Sequence, residues 1–397
     1  MNVLGIALKS IRGNVVKSLT IFLSVFGVAA FFVATVIVVQ GAQSSLDRGL
    51  ERLGADVLVV PQGAEAKMES AMLMGAPVKM WMPADVLSRV AGVDGVEQAS
   101  PQIYLQSLFG AHCCAVSEMF MVVFDPETDF SVTPWLEEEL GRRLNVGEVI
   151  GGTQVFVPEG DEYIMLYGYN LDLKGTLEPT GIGIDATLFM TKETAEELSR
   201  WSSQTAEQPL TVPTDSISSV LVKVAPDVDP HGVAVQIERD VEGVVAIESP
   251  ELFGTFREQM LGLLWLFLVM LIMAYLISAL LIGLVFSMAA HERRREMAVL
   301  RATGATRFFI FRTLWSEAVV LAVAGGLVGV ILSSLFIYMF RNYISGSLGM
   351  PFLFPSFGSL LGLAGLALAL AIVTATIAVL IPAYKISRQE PALAMKE

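Results

Sequence analysis

Cysteine and histidine are scarce in this sequence of 397 residues, which has two cysteines and three histidines. The cysteines are adjacent, and their spacing matches neither a zinc-ribbon motif nor a c-type haem motif. The chain has no Gly-Lys dipeptide, so it lacks the GxxxxGK phosphate loop of P-loop ATPases. The histidines fall in separate regions, and no Ser/His/Asp arrangement stands out. These absences predict a non-catalytic chain without ATPase activity of its own.

Charge is also scarce, at 17% of residues against 54% hydrophobic residues. The stretch Ala42–Glu258 holds 35 Asp and Glu but 13 Lys and Arg, a net charge of −22. The rest of the chain holds 5 acids and 13 bases, a net charge of +8. An acidic, water-soluble domain is therefore predicted to interrupt a basic, apolar frame, and no nucleic-acid partner is expected.

Four apolar runs are long enough to cross a membrane, since a spanning helix needs roughly 20 residues. The first run exceeds the about 7–15 apolar residues of a cleaved signal peptide, so it is predicted to be retained. The predicted transmembrane helices are residues 18–41, 259–290, 317–340 and 357–382. The predicted fold class is a membrane protein with four transmembrane α-helices and a large α+β extracytoplasmic domain, residues 42–258, between helices 1 and 2.

The orientation follows from Lys and Arg close to the spans, because cytoplasmic loops are enriched in these bases. The N-terminal segment 1–17, the loop 291–316 and the tail 383–397 all carry an excess of bases. Four spans place them on one side, so both termini of this multi-pass cell-membrane protein are predicted to be cytoplasmic. Segment 1–17 has the pattern of an interfacial helix in contact with membrane lipids, and the short loop 341–356 is predicted to be external.

The acidic domain has alternating strand and helix signals. Two of its segments, Pro83–Pro101 and Val228–Pro250, resemble each other as a helix, a short acidic-Gly turn and a strand. This weak internal repeat predicts two related halves that flank an inserted, strand-rich part. The predicted elements include strands at Asp56–Val60, Val96–Tyr104, Thr187–Met190, Ile217–Val224 and Val244–Ile247 and a helix at Pro230–Asp240.

Small residues recur four positions apart in the last two spans. Gly325 and Gly329 form one GxxxG pair, and Gly358 and Gly362 form another. Such pairs allow helices to approach closely, within one chain or between copies. The alternative is that membrane helices simply contain more glycine.

The acidic domain contains the consecutive residues His112, Cys113 and Cys114. Imidazole and soft sulfur ligands suit thiophilic metals such as Cu(I) or zinc, and an external compartment also permits disulfides. Four interpretations remain open: a vicinal or intermolecular disulfide, a thiophilic metal or haem-related site, buried thiols and a redox role. Methionines near the triplet in sequence fit either sulfur ligands or apolar contacts for a greasy cargo. They are Met68, Met72, Met74, Met80, Met82, Met119 and Met121.

A second cluster in this domain is acidic and lies between Asp125 and Glu139. It lacks the glycine at a fixed position that an EF-hand calcium loop needs. A solvated acidic surface is therefore predicted there. The neighbouring Trp135 is interpreted either as an anchor for a partner or as a local packing residue.

The loop between the second and third spans and the C-terminal tail carry recognisable patterns. The loop reads HERRREMAVLRATGATRFFIFRTLWSEA, with Glu292, Arg293, Arg295, Glu296, Leu300, Arg301, Gly304, Ala305 and Glu317 at the characteristic positions. The tail has Pro382, Ala383, Ser387, Pro391 and Ala394. Both resemble the MacB/FtsX-type ABC transporter permeases, and the segment Thr180–Ser199 is similar to part of that family's external domain.

The resemblance implies that a separate ABC ATPase subunit, with its ATP and magnesium, binds the loop Arg293–Phe309. It also implies a permease dimer, formed with a second copy or a paralogous permease. The residues implied in ATPase coupling are Glu292, Arg293, Arg295, Glu296, Arg301, Gly304 and Ala305. Independently of the family, six arginines around Gly304 suggest a basic lever with a turn.

Three functions remain open at this point. The first is ATP-driven movement of the external domain for export or extraction of a hydrophobic or amphiphilic cargo. The second is signal transduction without transport, in which the external domain activates a cell-envelope enzyme. The third is a metal- or redox-linked transporter that uses His112, Cys113 and Cys114.

Overall fold

The computed structural model describes residues 11–106, 120–155, 157, 163–206, 209–292, 306–347 and 350–387. Contacts divide the chain into two compact units. The span unit comprises Met1–Gln40, Gln259–Phe340 and Phe354–Glu397. The sheet domain comprises Gly41–Glu258 and Arg341–Leu353.

The elements are numbered in chain order. The helices are α1 (Val15–Leu53), α2 (Glu65–Met74), α3 (Asp85–Ala91), α4 (Thr133–Glu139), α5 (Lys192–Thr205), α6 (Pro230–Asp240), α7 (Gly254–Glu292), α8 (Arg307–Asn342) and α9 (Phe357–Ser387). The strands are β1 (Val57–Pro61), β2 (Met82–Pro83), β3 (Val96–Gln106), β4 (Phe120–Phe124), β5 (Glu148–Gly151), β6 (Ile164–Leu166), β7 (Tyr169–Thr176), β8 (Thr187–Thr191), β9 (Ser216–Ile217), β10 (Ser219–Val224) and β11 (Val244–Glu248).

Four helices in the described residues, α1, α7, α8 and α9, are long and apolar enough to cross a membrane. This confirms the predicted four spans with a large domain between the first two. Helix α9 continues past Pro382 to Ser387. Proline lacks the N–H that would bond the carbonyl of Ala378, and Gly283 of α7 lies against that carbonyl. A Cβ added at Gly283 would be 3.2 Å from the Ala378 oxygen.

The core of the span unit is built largely from small and branched side chains. Helix α9 contributes an alanine stripe that includes Ala371 and Ala375, both fully or almost fully buried. Alanine lets neighbouring helices approach closely, which favours dispersion contacts within a membrane. Helices α8 and α9 are also joined by a hydrogen bond, because Trp315 Nε1 donates to Thr376 Oγ1 over 3.1 Å.

The sheet domain contains a nine-stranded mixed sheet with the order β11-β1-β10-β3-β4-β8-β5-β7-β6. The pairs β4–β8 and β5–β7 are parallel, whereas the other neighbouring pairs are antiparallel. The first and last strands, β1 and β11, are neighbours. The first and last segments of the chain within the sheet are therefore adjacent strands.

Both faces of the sheet are buried. Val57 and Val59 of β1 point into one core with α3, α5 and α6, whereas Leu58 and Val60 point into the other with α1, α2 and α4. Successive side chains of a strand alternate between faces, so a strand covered on both faces is apolar throughout. That pattern is why β1 was recognisable as a strand in the sequence.

The two repeated segments form α3 followed by β3, and α6 followed by β11, as predicted. The inserted strands do not form a separate sheet. Residues Gln102–Gln106 of β3 pair with β4, while the earlier part of β3 pairs with β10. The 11 residues of β3 are long enough to serve both partners, so the insertion continues the same sheet.

Candidate functional site

Most of the predicted site residues lie outside the described residues. His112, Cys113 and Cys114 fall within 107–119, so the thiophilic metal site stays a prediction. The coupling residues after Glu292 fall within 293–305 and also stay predictions; they are Arg293, Arg295, Glu296, Arg301, Gly304 and Ala305.

Glu292, the last described residue before the coupling loop, forms an ion pair with Lys17 near the start of α1. A small cavity of about 10 Å³ lies beside this pair and is lined by Lys17, Ser18, Phe286 and Glu317. Glu317 comes from α8 and is 8% exposed. Three span helices therefore contribute polar groups near Glu292, after which the loop predicted to couple to the ATPase follows in sequence.

Four of the five methionines upstream of the His-Cys-Cys triplet are core residues, whereas Met74 is exposed. Met68 and Met72 lie in the core that contains α2, whereas Met82 lies in the core on the opposite face of the sheet. Side chains on opposite faces cannot converge on one metal ion. Within the ranges that the structure covers, no group of three or more His, Cys, Asp or Glu side chains is placed to hold a metal.

The acidic cluster differs in part from the predicted solvated surface. Asp129 is 6% exposed, and one carboxylate oxygen accepts hydrogen bonds from the backbone N–H groups of Val132 and Thr133 over 2.7 and 2.8 Å. A short carboxylate at a helix start satisfies N–H groups that have no partner within the helix. Trp135 packs locally, since a Cβ added at Gly175 would lie 2.5 Å from its ring.

A buried polar site in the sheet domain is the turn Thr180–Ala186 between β7 and β8, within the segment that resembles the family. The carboxylate of Asp185 is buried. It accepts hydrogen bonds from Thr180 N at 2.9 Å, Thr180 Oγ1 at 2.9 Å and Gly181 N at 2.7 Å. Hydrogen bonds to an ionised acceptor are stronger than neutral ones, so Asp185 fixes the shape of this turn.

This turn binds two other parts of the sheet domain. Ser45 Oγ on α1 donates to the carbonyl of Thr180 over 2.7 Å. Phe352 N, in the loop before α9, donates to the carbonyl of Gly181 over 3.0 Å, and Leu353 N donates to the carbonyl of Gly41 over 3.1 Å. We call this set of contacts the joint: the turn Thr180–Ala186, Gly41, Ser45, Phe352 and Leu353.

Two glycines make the close approach at the joint feasible. Gly181 has φ of +77°, and an added Cβ would lie 2.6 Å from the carbonyl oxygen of Phe352. A Cβ at Gly41 would lie 2.5 Å from the ring of Phe352. Glycine alone combines a positive φ with room for a neighbouring backbone at no steric cost. Sequence reasoning missed the joint, and its one signal was the Gly-Ile-Gly run before Asp185.

The start of α7 is also bonded within the sheet domain. Phe256 N donates to Glu69 Oε1 of α2 over 2.9 Å. Arg257 and Asp47 form an ion pair at 3.6 Å, which connects α7 with α1. Residues next to the ends of the first, second and fourth spans in sequence therefore form hydrogen bonds or ion pairs within the sheet domain.

The two GxxxG pairs have different surroundings in the span unit. A Cβ at Gly325 or Gly329 would lie 2.8 Å from a backbone oxygen of α1, that of Phe22 or Phe26 respectively. A Cβ at Gly358 or Gly362 would meet no atom within 4 Å in the described chain. The α8 pair thus lies against α1 of the same chain, and a packing role for the α9 pair stays a prediction.

Comparison with known proteins gives two family matches. Residues 18–240 match the MacB-like periplasmic core domain, and residues 268–391 match the FtsX-like permease C-terminal. Over 108 residues the chain is 36% identical to the pyoverdine export ATP-binding/permease protein PvdT of Pseudomonas savastanoi pv. phaseolicola (strain 1448A / Race 6). It is 34% identical to the protein of that name from Pseudomonas syringae pv. syringae (strain B728a).

These matches cover 27% of this chain and 15% of each curated relative, so the chain spans only a small part of those proteins. Among solved structures, the periplasmic region of MacB from Actinobacillus actinomycetemcomitans is similar with a TM-score of 0.32 and 9% identity. That match covers 52% of this chain and 95% of the other. The first family match alone extends over more than half of the sequence. The chain belongs to the MacB/FtsX-type ABC transporter permeases, which places it in the plasma membrane.

Proposed function

We propose that this chain is the permease subunit of an ABC exporter in which a separate ATPase drives movement of the sheet domain. The movement serves the export or extraction of a hydrophobic or amphiphilic cargo. Family membership supports the ATPase partner, and these 397 residues contain no GxxxxGK, so the ATP-binding site is proposed to lie outside them. The relatives named as pyoverdine export proteins support export as the direction of transport.

The observation that carries the proposal is the joint. Gly41 follows the last residue of the first span segment in the span unit, and Leu353 precedes the fourth. Both are hydrogen-bonded within the joint, and we propose that a displacement of either span acts on the turn Thr180–Ala186 through these bonds. The bonded start of α7 adds a third mechanical connection. Such contacts are the kind of physical network through which movement is transmitted.

At the other end of the first two spans, the ion pair of Lys17 and Glu292 lies directly before the basic loop. Both termini and this loop are proposed to be cytoplasmic, where the loop receives the ATPase. The permease is proposed to work as a dimer, so that two ATPase subunits close together across two loops.

The test separates ATP hydrolysis from movement of the sheet domain. Gly181→Val is made in the full chain, and the permease is purified with its ABC ATPase in lipid nanodiscs. Hydrogen–deuterium exchange is measured with and without ATP and vanadate. We expect nucleotide to change exchange in the sheet domain of the wild type. In Gly181→Val, ATP hydrolysis should persist while that change is lost, since the side chain separates the turn from Phe352.

Gly63→Val is the matched control. Gly63 has φ of +80°, yet a Cβ added there meets no atom within 4 Å. Both variants therefore share the backbone penalty of about 1–2 kcal/mol for a left-handed conformation, and only one disrupts the joint. Equal nucleotide responses in Gly181→Val and wild type would contradict the proposed transmission, as would a wild type that does not respond.

A further inference from the structure

The sheet domain contains a cavity of about 30 Å³ between α1, α2 and one face of the sheet. Its walls are mostly apolar, with Leu53, Met72, Phe120 and Phe189 among them, and Arg52 is the only ionisable side chain among the described lining residues. A single water needs roughly 10–15 Å³ of such space, so the cavity holds more than one water-sized group.

Arg52, a half-buried residue that lines this cavity, carries a pair of buried donors. Its Nε and Nη2 atoms are buried and have no hydrogen-bond partner among the described residues. They account for two of the three buried side-chain polar atoms without a partner in the ranges that the structure describes. Leaving a buried charged donor unpaired is costly, so these atoms call for an acceptor.

The identity of the two atoms indicates the shape of that acceptor. Nε and one terminal nitrogen form one edge of the planar guanidinium, where two N–H groups point in parallel. This edge matches the two oxygens of a carboxylate, which accepts both hydrogens at once. A neutral amide offers a single oxygen and cannot reproduce that two-point contact.

Among the residues that the structure describes, the nearby carboxylates do not supply this contact. Glu178 and Asp129 are the acidic groups that act electrostatically on Arg52. Glu178 is exposed to solvent, and both oxygens of Asp129 accept hydrogen bonds from Ser131, Val132 and Thr133. They balance part of the charge of Arg52, which limits the affinity for an added anion, and leave its Nε–Nη2 edge open.

We propose that this cavity binds the carboxylate of a small aliphatic acid, with the two carboxylate oxygens on Nε and Nη2 of Arg52 and the alkyl part against the apolar wall. The ligand lies beside the joint, because Ile184 of the turn also lines the cavity. The site does not depend on the proposed transport function, since binding requires no nucleotide or partner.

The test uses sodium acetate as the probe and acetamide as its neutral counterpart of equal size. Saturation-transfer NMR on the detergent-solubilised full chain measures binding through the methyl protons of each probe. We expect transfer to acetate and little to acetamide. Arg52→Gln should weaken acetate binding about 10-fold or more, because a charge-assisted two-point contact is lost. Arg48→Gln removes an exposed arginine one turn earlier on α1 and should bind acetate as the wild type does.

A second variant keeps the proposal testable if Arg52→Gln does not fold. Val122→Ile keeps the guanidinium and adds a methyl group to the cavity wall, so it should also weaken acetate binding. The absence of transfer to acetate in the wild type, which is the result if only water fills the cavity, would overturn the proposal. Equal binding of acetate and acetamide, or wild-type affinity in folded Arg52→Gln or Val122→Ile, would do so as well.

Discussion

At the scale of single residues, Glu148 shows how local hydrogen bonds stabilise the charged form of a carboxylate. Its carboxylate accepts from Arg142 Nη1 at 2.7 Å, from Arg142 Nη2 at 2.9 Å and from Asn145 N at 2.8 Å. The hydrogen bonds from Arg142 lower the pKa of Glu148 from 4.5 to about 2. Burial has a smaller effect in the opposite direction. The charged form is therefore favoured in the folded domain.

We predict that Glu148→Gln lowers the free energy of unfolding by roughly 1.5–3 kcal/mol at neutral pH, the usual range for a hydrogen bond to a charged group. The pKa is lower in the folded chain, so the stabilisation is complete above the unfolded value of 4.5 and is lost as pH falls through about 2. Urea unfolding of the full chain between pH 2 and pH 7 measures it. Glu138→Gln, at an exposed position, is the control, and equal losses in both variants would refute the assignment.

Single residues were also where the sequence was least informative. The acidic residues between Asp125 and Glu139 look alike in the sequence, but Asp129 is buried because its carboxylate accepts hydrogen bonds from the N–H groups at the start of α4. Asp185 gave no signal either, since its three donors come from a turn whose conformation depends on Gly181. Side-chain roles of this kind depend on backbone geometry that residue types alone do not specify.

At the scale of elements, the small residues of α8 determine how closely it approaches α1. We predict that Gly329→Val destabilises the span unit by about 1–3 kcal/mol, because the added side chain clashes with the backbone of Phe26. Thermal unfolding followed by tryptophan fluorescence in detergent measures the effect.

The matched control for this prediction is Gly362→Val, since a Cβ there meets no atom within 4 Å in the described chain. A smaller loss in Gly362→Val than in Gly329→Val is expected for isolated chains. Chemical cross-linking of both variants then reports whether Gly362 serves contacts between copies. Equal thermal losses in the two variants would contradict the packing seen for α8.

The number and type of the long elements were predictable, but their ends and partners were not. The apolar run of the first span stops near Gln40, yet α1 continues to Leu53. Ala42, Leu46 and Leu53 recur at helical spacing and are buried, so this part is held by packing within the sheet domain. The strand order was not predictable, because pairs such as β1 with β10 join positions far apart in the sequence.

At the scale of the whole molecule, the acidic stretch Ala42–Glu258 contrasts with the net positive charge of the rest of the chain. We predict that Arg295→Glu combined with Glu296→Arg weakens copurification of the ABC ATPase, because the double change reverses the charge pattern of the loop while its net charge is unchanged. The same exchange at two exposed residues of α1, Arg48→Glu with Glu51→Arg, should leave the ATPase bound. Unchanged recovery of the ATPase in the loop variant would count against this docking site.

Family and architecture were recognisable from the basic loop, the tail and the charge asymmetry, because these features lie within short stretches of sequence. The division between the two units was less accessible. The loop 341–356 was predicted as a short connection, whereas Arg341–Leu353 belongs to the sheet domain. Its attachment rests on backbone hydrogen bonds of Phe352 and Leu353, which leave no trace in residue type.

The joint also imposes an order on biosynthesis. A ribosome delivers Gly41, the turn at Gly181 and all strands of the sheet long before it delivers Phe352, which emerges only after α8. The sheet can therefore be complete while its binding site for Phe352 is still empty. Closure of the joint can therefore occur only in a chain whose third span has already been synthesised. A nascent chain arrested before α8 would present an unfilled surface at Gly41 and Gly181, where a chaperone could distinguish unfinished molecules from finished ones.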